Sequence, residues 1–196
     1  LIMYPLNVFA CDPGPTQSTF VSLTFTGKDR LLDEKLIVNA IGALGNHEMK
    51  EKLSTLFGVH VVCEMIACYG MTVGKEVFET VRWIGRFEER LSVRGLKMET
   101  LTRMECKMNL CHSSRAKDAN IRQALIDRYG EPGTRKQPGP LYGVTSHAWA
   151  ALAVGVSYAD KLAEAAKESA RLNKVNDSPQ QYSRPSCEAT AGGKLL

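Results

Sequence analysis

The sequence predicts an α/β domain, a mixed sheet with antiparallel first strands and helices on both faces. Three observations predict it. Two apolar, β-rich runs separated by a turn come first, at "LNVFACD" and "STFVSLTFTG". Strand-like and helix-like segments then alternate. A long apolar helical pattern, "VTSHAWAALAVGVSYADKLAEAAKESARL", closes the body of the chain. At 196 residues there is enough chain for one full core and too little for two. The domain is placed at residues 1–172. The polar stretch 173–196 carries Pro, Ser and Gly without periodicity and reads as a disordered tail.

Each element has its own warrant. "LNVFACD" is a strand, Pro13 to Thr16 a turn, and "STFVSLTFTG" a strand pairing back on the first. Gly27-Lys28-Asp29 marks a hairpin-like turn into a third short run, "KLIVNA". "NHEMKEKLSTLFG" has helical spacing at Met49, Leu53 and Leu56-Phe57, with Gly58 placed to end it. "VHVVCEMIA" is too apolar for a strand exposed on one face, which suggests an interior strand covered on both. After the small-residue turn Tyr69-Gly70-Met71, a helix carries a stripe at Val73, Val77, Val81, Ile84, Phe87 and Leu91. "ETLTRMECKMNLCHS" reads as a strand leading into a short helical turn, and "AKDANIRQALIDRYG" as an amphipathic helix ending at Gly130. "EPGTRKQPGPLYG" is a loop, and Thr145 or Ser146 is available to cap the last helix.

Composition excludes several classes. Apolar content of 44% and charged content of 23% are ordinary globular values. No apolar run reaches the roughly 20 residues of a membrane span, and the first residues lack the basic start and small-residue cleavage site of a signal peptide. The six cysteines have no CxxC pairing; Cys106-x4-Cys111-His112 lacks the second ligand pair of a zinc finger, so a reduced, cytoplasmic protein is expected. The net charge of +4 is unevenly spread. From Arg82 to Lys136 there are thirteen Lys and Arg against seven Asp and Glu, which suits either a polyanion partner or a solvated face.

Three residues could carry chemistry. Asp12 ends the first strand at Pro13-Gly14-Pro15 and reads equally as a turn-capping acid or as a carboxylate delivered to a metal. Glu64 interrupts "VVCEMIA", where an acid should not be buried without a partner. On adjacent strands the two would resist ionising together. A divalent cation such as Mg²⁺, which takes oxygen ligands and retains waters, removes that cost. His147, at the start of the last helix, is then a third candidate ligand.

The blocks "CDPGPTQSTF", "VVCEMIACYGMTVGKEVFETVRWIGRF", "SSRAKDANIRQALIDRYG" and "LYGVTSHAWAALAVGV", in this order, resemble the RuvC-like Holliday junction resolvases, in the compact form found in bacteriophages and prophages. The resemblance spans roughly residues 6 to 160. It implies an RNase H-like fold, a mixed five-stranded sheet with helices on both faces, and a homodimer in a bacterial or phage-infected cytoplasm. The implied activity is that of a crossover junction endodeoxyribonuclease: metal-dependent resolution of four-way or branched DNA by paired symmetric nicks, in recombination, repair or phage DNA processing. No membrane and no small-molecule substrate are implied. Asp12 matches the family's first catalytic acid, Glu64 its second, and His147 the start of the final helix, where the family carries Asp or His. The next acidic slot of that helix falls on Ala150, a departure from the pattern.

Three explanations of Ala150 stand side by side. Asp12, Glu64 and His147 could hold the metal alone, Asp118 could supply a compensating oxygen, or the site could be weakened so that the chain binds junctions better than it cuts them. The resemblance implies two Mg²⁺ or Mn²⁺ ions per site, activating a water and stabilising the leaving oxygen. In that arrangement Asp12 bridges both ions, Glu64 holds one, and His147 holds the other or positions the water. For DNA contact the candidates are Arg82, Arg86, Arg115, Lys117 and Arg122, with Tyr69 as a stacking residue in the loop after Glu64. The helix from Val73 to Leu91, with Phe78, Trp83 and Phe87 expected on its outside, could meet a second copy or its own sheet. The rivals are a junction-binding protein with weakened cleavage and another RNase H-like nuclease acting on flaps or RNA–DNA hybrids.

Overall fold

The computed structural model describes residues 5–27 and 34–176. Five strands form one sheet: β1 (Leu6–Asp12), β2 (Gln17–Thr26), β3 (Lys35–Gly45), β4 (His60–Met65) and β5 (Met98–Thr102). Their spatial order is β3-β2-β1-β4-β5. The first three are antiparallel neighbours, while β1–β4 and β4–β5 pair in parallel. The helices are α1 (Asn46–Ser54), α2 (Lys75–Ser92), α3 (Arg103–Cys111), α4 (Asp118–Tyr129) and α5 (Ala148–Asn176). The expected α/β class and the mixed five-stranded sheet are present.

The alternation of side chains along each strand divides the core in two. Leu6, Val8 and Ala10 of β1 join Val62 of β4 and Leu101 of β5 beneath α5, α3 and α4. Phe9 and Cys11 of β1 join Val61 and Cys63 of β4 beneath α1 and α2. Both faces are covered, which is why the middles of β1 (Val8–Cys11) and β4 (Val61–Cys63) are continuously apolar rather than alternating. Cys11 and Cys63 are register partners with sulfurs 3.3 Å apart, and the neighbouring Cys11 sulfur and then burial push the Cys63 thiol well up. These cysteines pack as small apolar groups.

Several expectations are corrected. α1 ends at Ser54, two residues before the Leu56-Phe57 pair expected within it, and Gly58 lies beyond its end with φ +65°. The stripe of α2 is rotated: Thr80, Trp83, Ile84, Phe87 and Leu91 are buried, whereas Val81 is exposed; Phe78 is exposed, as expected. Trp83 and Phe87, expected outside, pack on the chain's own sheet beside Met49 and Leu53 of α1. The segment expected as a short helical turn is the full helix α3, capped by Thr102, whose side chain accepts from the Glu105 N–H. α5 starts at Ala148, so His147 takes the position expected for Thr145 or Ser146, and its carbonyl accepts from the Ala151 N–H. At its other end α5 runs to Asn176, four residues into the stretch assigned to the tail. The rest of that stretch, 177–196, and Lys28-Asp29 of the expected turn lie outside the described residues.

Candidate active site

Strand parity builds the site. Asp12 continues the series Leu6, Val8, Ala10 toward α5, and Glu64 continues Val62 on the adjoining strand, one step beyond the Cys11–Cys63 pair. Parallel pairing thus sets two carboxylates side by side at the C-terminal ends of β1 and β4, facing the start of α5. The turn that follows Asp12 is fixed by a residue the sequence did not single out. Asn46, 2% exposed, donates through Nδ2 to the Gly14 carbonyl at 2.9 Å and accepts from the Ser18 hydroxyl at 2.7 Å. Gly14 is required there because a Cβ would stand 2.6 Å from the Gln17 carbonyl oxygen.

Each acid has a cationic or ionisable partner. His147 Nδ1 lies 3.0 Å from Asp12 Oδ2, with the imidazole 75% exposed. Arg103, the first residue of α3, stands 3.3 Å from Glu64 Oε1 through Nη1 and 2.6 Å from Asp118 Oδ1 through Nη2. Glu64 Oε2 is buried and has no hydrogen-bond donor among the described residues. Burial pushes Asp12 above the usual carboxylate range, opposed by His147. Burial and then the charge of Asp12 push Glu64 up, opposed by Arg103.

The two pairs open on different spaces. Asp12 and His147 line a groove of about 410 Å³ whose other walls include Gln17, Thr19, Glu76 and Thr80. Glu64, Arg103 and Asp118 line a pocket of about 30 Å³ with Trp149 and Ala150. The slot where the sequence departs from the resolvase pattern therefore belongs to the site. Among the described residues no three His, Cys, Asp or Glu side chains form a ready group for a cation. The donor set still fits an oxygen-preferring divalent ion at one point. Glu64 Oε2 is an orphaned buried acceptor beside a second carboxylate, both reluctant to ionise without added positive charge.

The expected DNA contacts divide by face. Arg115 and Lys117 lie in the approach to α4, next to Asp118, and Arg122 stacks over Trp149 at 4.9 Å. Arg82 is tied to Glu79 at 3.4 Å and Arg86 stacks over Trp83 at 4.5 Å, both on α2. Tyr69 is 61% exposed at the tip of a tight turn, with φ +48° and Gly70 at +81°, closed by the Met71 N–H donating to the Cys68 carbonyl. It does not pack into the body. Arg103 and Trp149 were not anticipated. An Arg after a strand and a Trp in a helix carry no signal until the fold sets them against Glu64.

No family model and no curated protein matches the chain. Solved structures do. Thermus thermophilus RuvC superposes with a TM-score of 0.60 at 14% identity, over 79% of this chain and 93% of that one. T. thermophilus RuvC in complex with a Holliday junction substrate gives 0.62 at 16% identity, over 82% and 96%. Fowlpox virus resolvase with its Holliday junction gives 0.42 at 12% identity, over 79% and 99%. The fold is that of RuvC, an RNase H-like architecture. No described helix is long and apolar enough to cross a membrane.

Proposed function

We propose that this chain is a divalent-cation-dependent, structure-selective DNA endonuclease that resolves four-way or branched junctions by paired nicks. The observation that carries the reading is the placement of Asp12 and Glu64 on adjoining parallel strands, facing His147, within the RuvC fold. A Mg²⁺ or Mn²⁺ ion on Asp12 and Glu64 supplies the positive charge that lets both acids ionise and polarises the scissile phosphate.

The chain's own residues do the rest. Asp12 accepts from His147 Nδ1–H and so selects the tautomer whose Nε2 carries a lone pair. That exposed nitrogen is suited to take a proton from an attacking water. The groove beside it is open enough to admit a phosphodiester backbone. Arg115, Lys117 and Arg122 border the site and suit backbone contacts, which is how a junction is recognised by shape. Tyr69, held outward on a strained turn, suits stacking on an unpaired base.

Two symmetric cuts need two sites related by a two-fold axis, so the active form is a homodimer. Phe78 and Val81, exposed three residues apart on the outer side of α2, form an apolar strip for that contact. Two features favour a second reading, a junction binder with weak cleavage: Ala150 stands where the resemblance implies an acid, and Arg103 engages Glu64.

The test is cleavage of a labelled mobile four-way junction in Mg²⁺ or Mn²⁺, beside duplex, flap and RNA–DNA hybrid controls. Paired nicks are expected in the junction alone. Asp12→Asn should lose more than about 100-fold of the rate, beyond the cost of removing a supporting ligand, and keep junction binding. Tight binding without cleavage, relieved by Ala150→Asp, would instead establish the second reading.

A further inference from the structure

We infer that the Arg103 guanidinium is an internal cation occupying the second cation seat of this site, so that the chain binds one divalent ion where the resolvase pattern implies two. The inference rests on the functional reading above. It begins with strand pairing. β4 and β5 run in parallel with Glu64 opposite Leu101 and Met65 opposite Thr102, so β5 ends one residue beyond the position facing Glu64. Arg103, the next residue, leaves the sheet two positions past Glu64's partner, and α3, capped by Thr102 itself, holds it where its guanidinium reaches Glu64.

The guanidinium joins two acids from separate elements, Glu64 of β4 at 3.3 Å and Asp118 of α4 at 2.6 Å. A bridging position between carboxylates is where a metal ion would otherwise sit. Two further facts oppose an ion there. The wall that would offer another oxygen is Ala150. The pocket where Glu64, Arg103, Asp118 and Ala150 meet is otherwise walled by side chains such as Ile121, Trp149 and Val154, which offer no further oxygen ligand. Mg²⁺ keeps several waters and demands near-octahedral ligation, so that pocket cannot take it alongside the arginine. The other side of the acid pair differs. Asp12 opens on a groove of about 410 Å³, and Glu64 Oε2 has no donor. One seat is filled by the protein and one is left for an ion.

The exchange has a chemical sense. A guanidinium is always charged, has five donors in a fixed plane, and spends two of them on Glu64 and Asp118. The remaining donors can face a phosphate oxygen and offset charge there without a second ion. Asp118 serves as the arginine's anchor and not as a metal ligand.

The experiment is calorimetric titration of the full chain with Mn²⁺ alone, without DNA. One ion per chain is expected for the parent and for Arg103→Lys. Two are expected for Arg103→Met, which frees the Glu64 and Asp118 carboxylates. Asp118→Asn should bind its single ion within about threefold of the parent affinity, whereas loss of a true ligand would cost tenfold or more. Two ions on the parent chain overturn the inference, as does a single ion on Arg103→Met that melts as a folded protein. The parent's stoichiometry decides the matter even if a variant does not fold. Two bound ions with junction cleavage would refute the role of Arg103 and leave the nuclease reading standing. An absence of any bound ion would refute both.

Discussion

At the scale of the residue, Asp12 and Glu64 are acids that the fold makes costly to ionise, chiefly through burial. The sign of the consequence follows from linkage. Below their unfolded values, near 4, both are protonated in either state and the cost is absent. As the pH rises through their raised folded values, the folded state must charge two buried neighbours, and stability is lost. Asp12→Asn should therefore melt above the parent at pH 7 without divalent ions, the gain vanishing near pH 4. Added Mg²⁺ should raise the melting temperature of the parent and leave the variant unmoved, because an ion that binds only the folded state stabilises it. A variant that melts below the parent at pH 7 would sink the assignment of a strained acid pair. The two acids were legible in the sequence because a charge interrupting or ending an apolar strand has to be explained. Arg103 was not. A basic residue in a segment of mixed pattern looks like any solvated charge, and its meaning comes from the pairing of β5 with β4. Asn46 was hidden for a related reason: its partners, Gly14 and Ser18, are about thirty positions away.

At the scale of the element, α5 sets the position of His147, and what fixes α5 is a close approach to the sheet. A Cβ on Gly155 would stand 2.6 Å from Leu23 Cδ1 and 3.0 Å from the Ala10 Cβ, both fully buried. A mid-helix glycine costs about 1 kcal/mol against alanine in an isolated helix, so alanine there would ordinarily stabilise. Here overpacking outweighs propensity, and Gly155→Ala should lose about 1–3 kcal/mol. In a chain of this size that is roughly 2–4 °C of melting temperature per kcal/mol. Junction cleavage should fall with it, since the helix that presents His147 must lift away from β1. An unchanged or higher melting point would show that α5 is not clamped at this position. The strands and their order along the chain were readable as apolar runs between turn residues. The faces of the helices were less so. On α2 the choice between Val81 and Trp83 is a rotation that spacing leaves open, and contact with α1 decides it. The start of α5 shifted because Ser146 adopts a left-handed turn, φ +45°, which moves the helix entry on to His147.

At the scale of the whole molecule, the basic excess between Arg82 and Lys136 is continuous in sequence and divided in space. The buried stripe of α2 packs under the sheet face opposite α5, while the approach to α4 borders the acid pair. Arg82 is held by Glu79, so its charge is already answered. Among the described residues Arg122 has no acid partner of this kind; it lies over Trp149, a wall of the small pocket, which leaves donors for a phosphate. Lys117 sits one residue before Asp118 and so shares that border. Binding to a polyanion weakens with salt by about one counterion per phosphate contact. Arg122→Ala and Lys117→Ala should each lower junction affinity and reduce the slope of log K against log salt by about 1. Arg82→Ala should change the slope by less than about half of that, because removing it also releases Glu79. Anisotropy titrations of a labelled junction from about 50 to 200 mM salt read both quantities. Equal slopes for all three variants would mean that the DNA meets α2 as closely as α4. The junction would then wrap both sides of the sheet edge instead of lying across the face that carries Asp12 and Glu64.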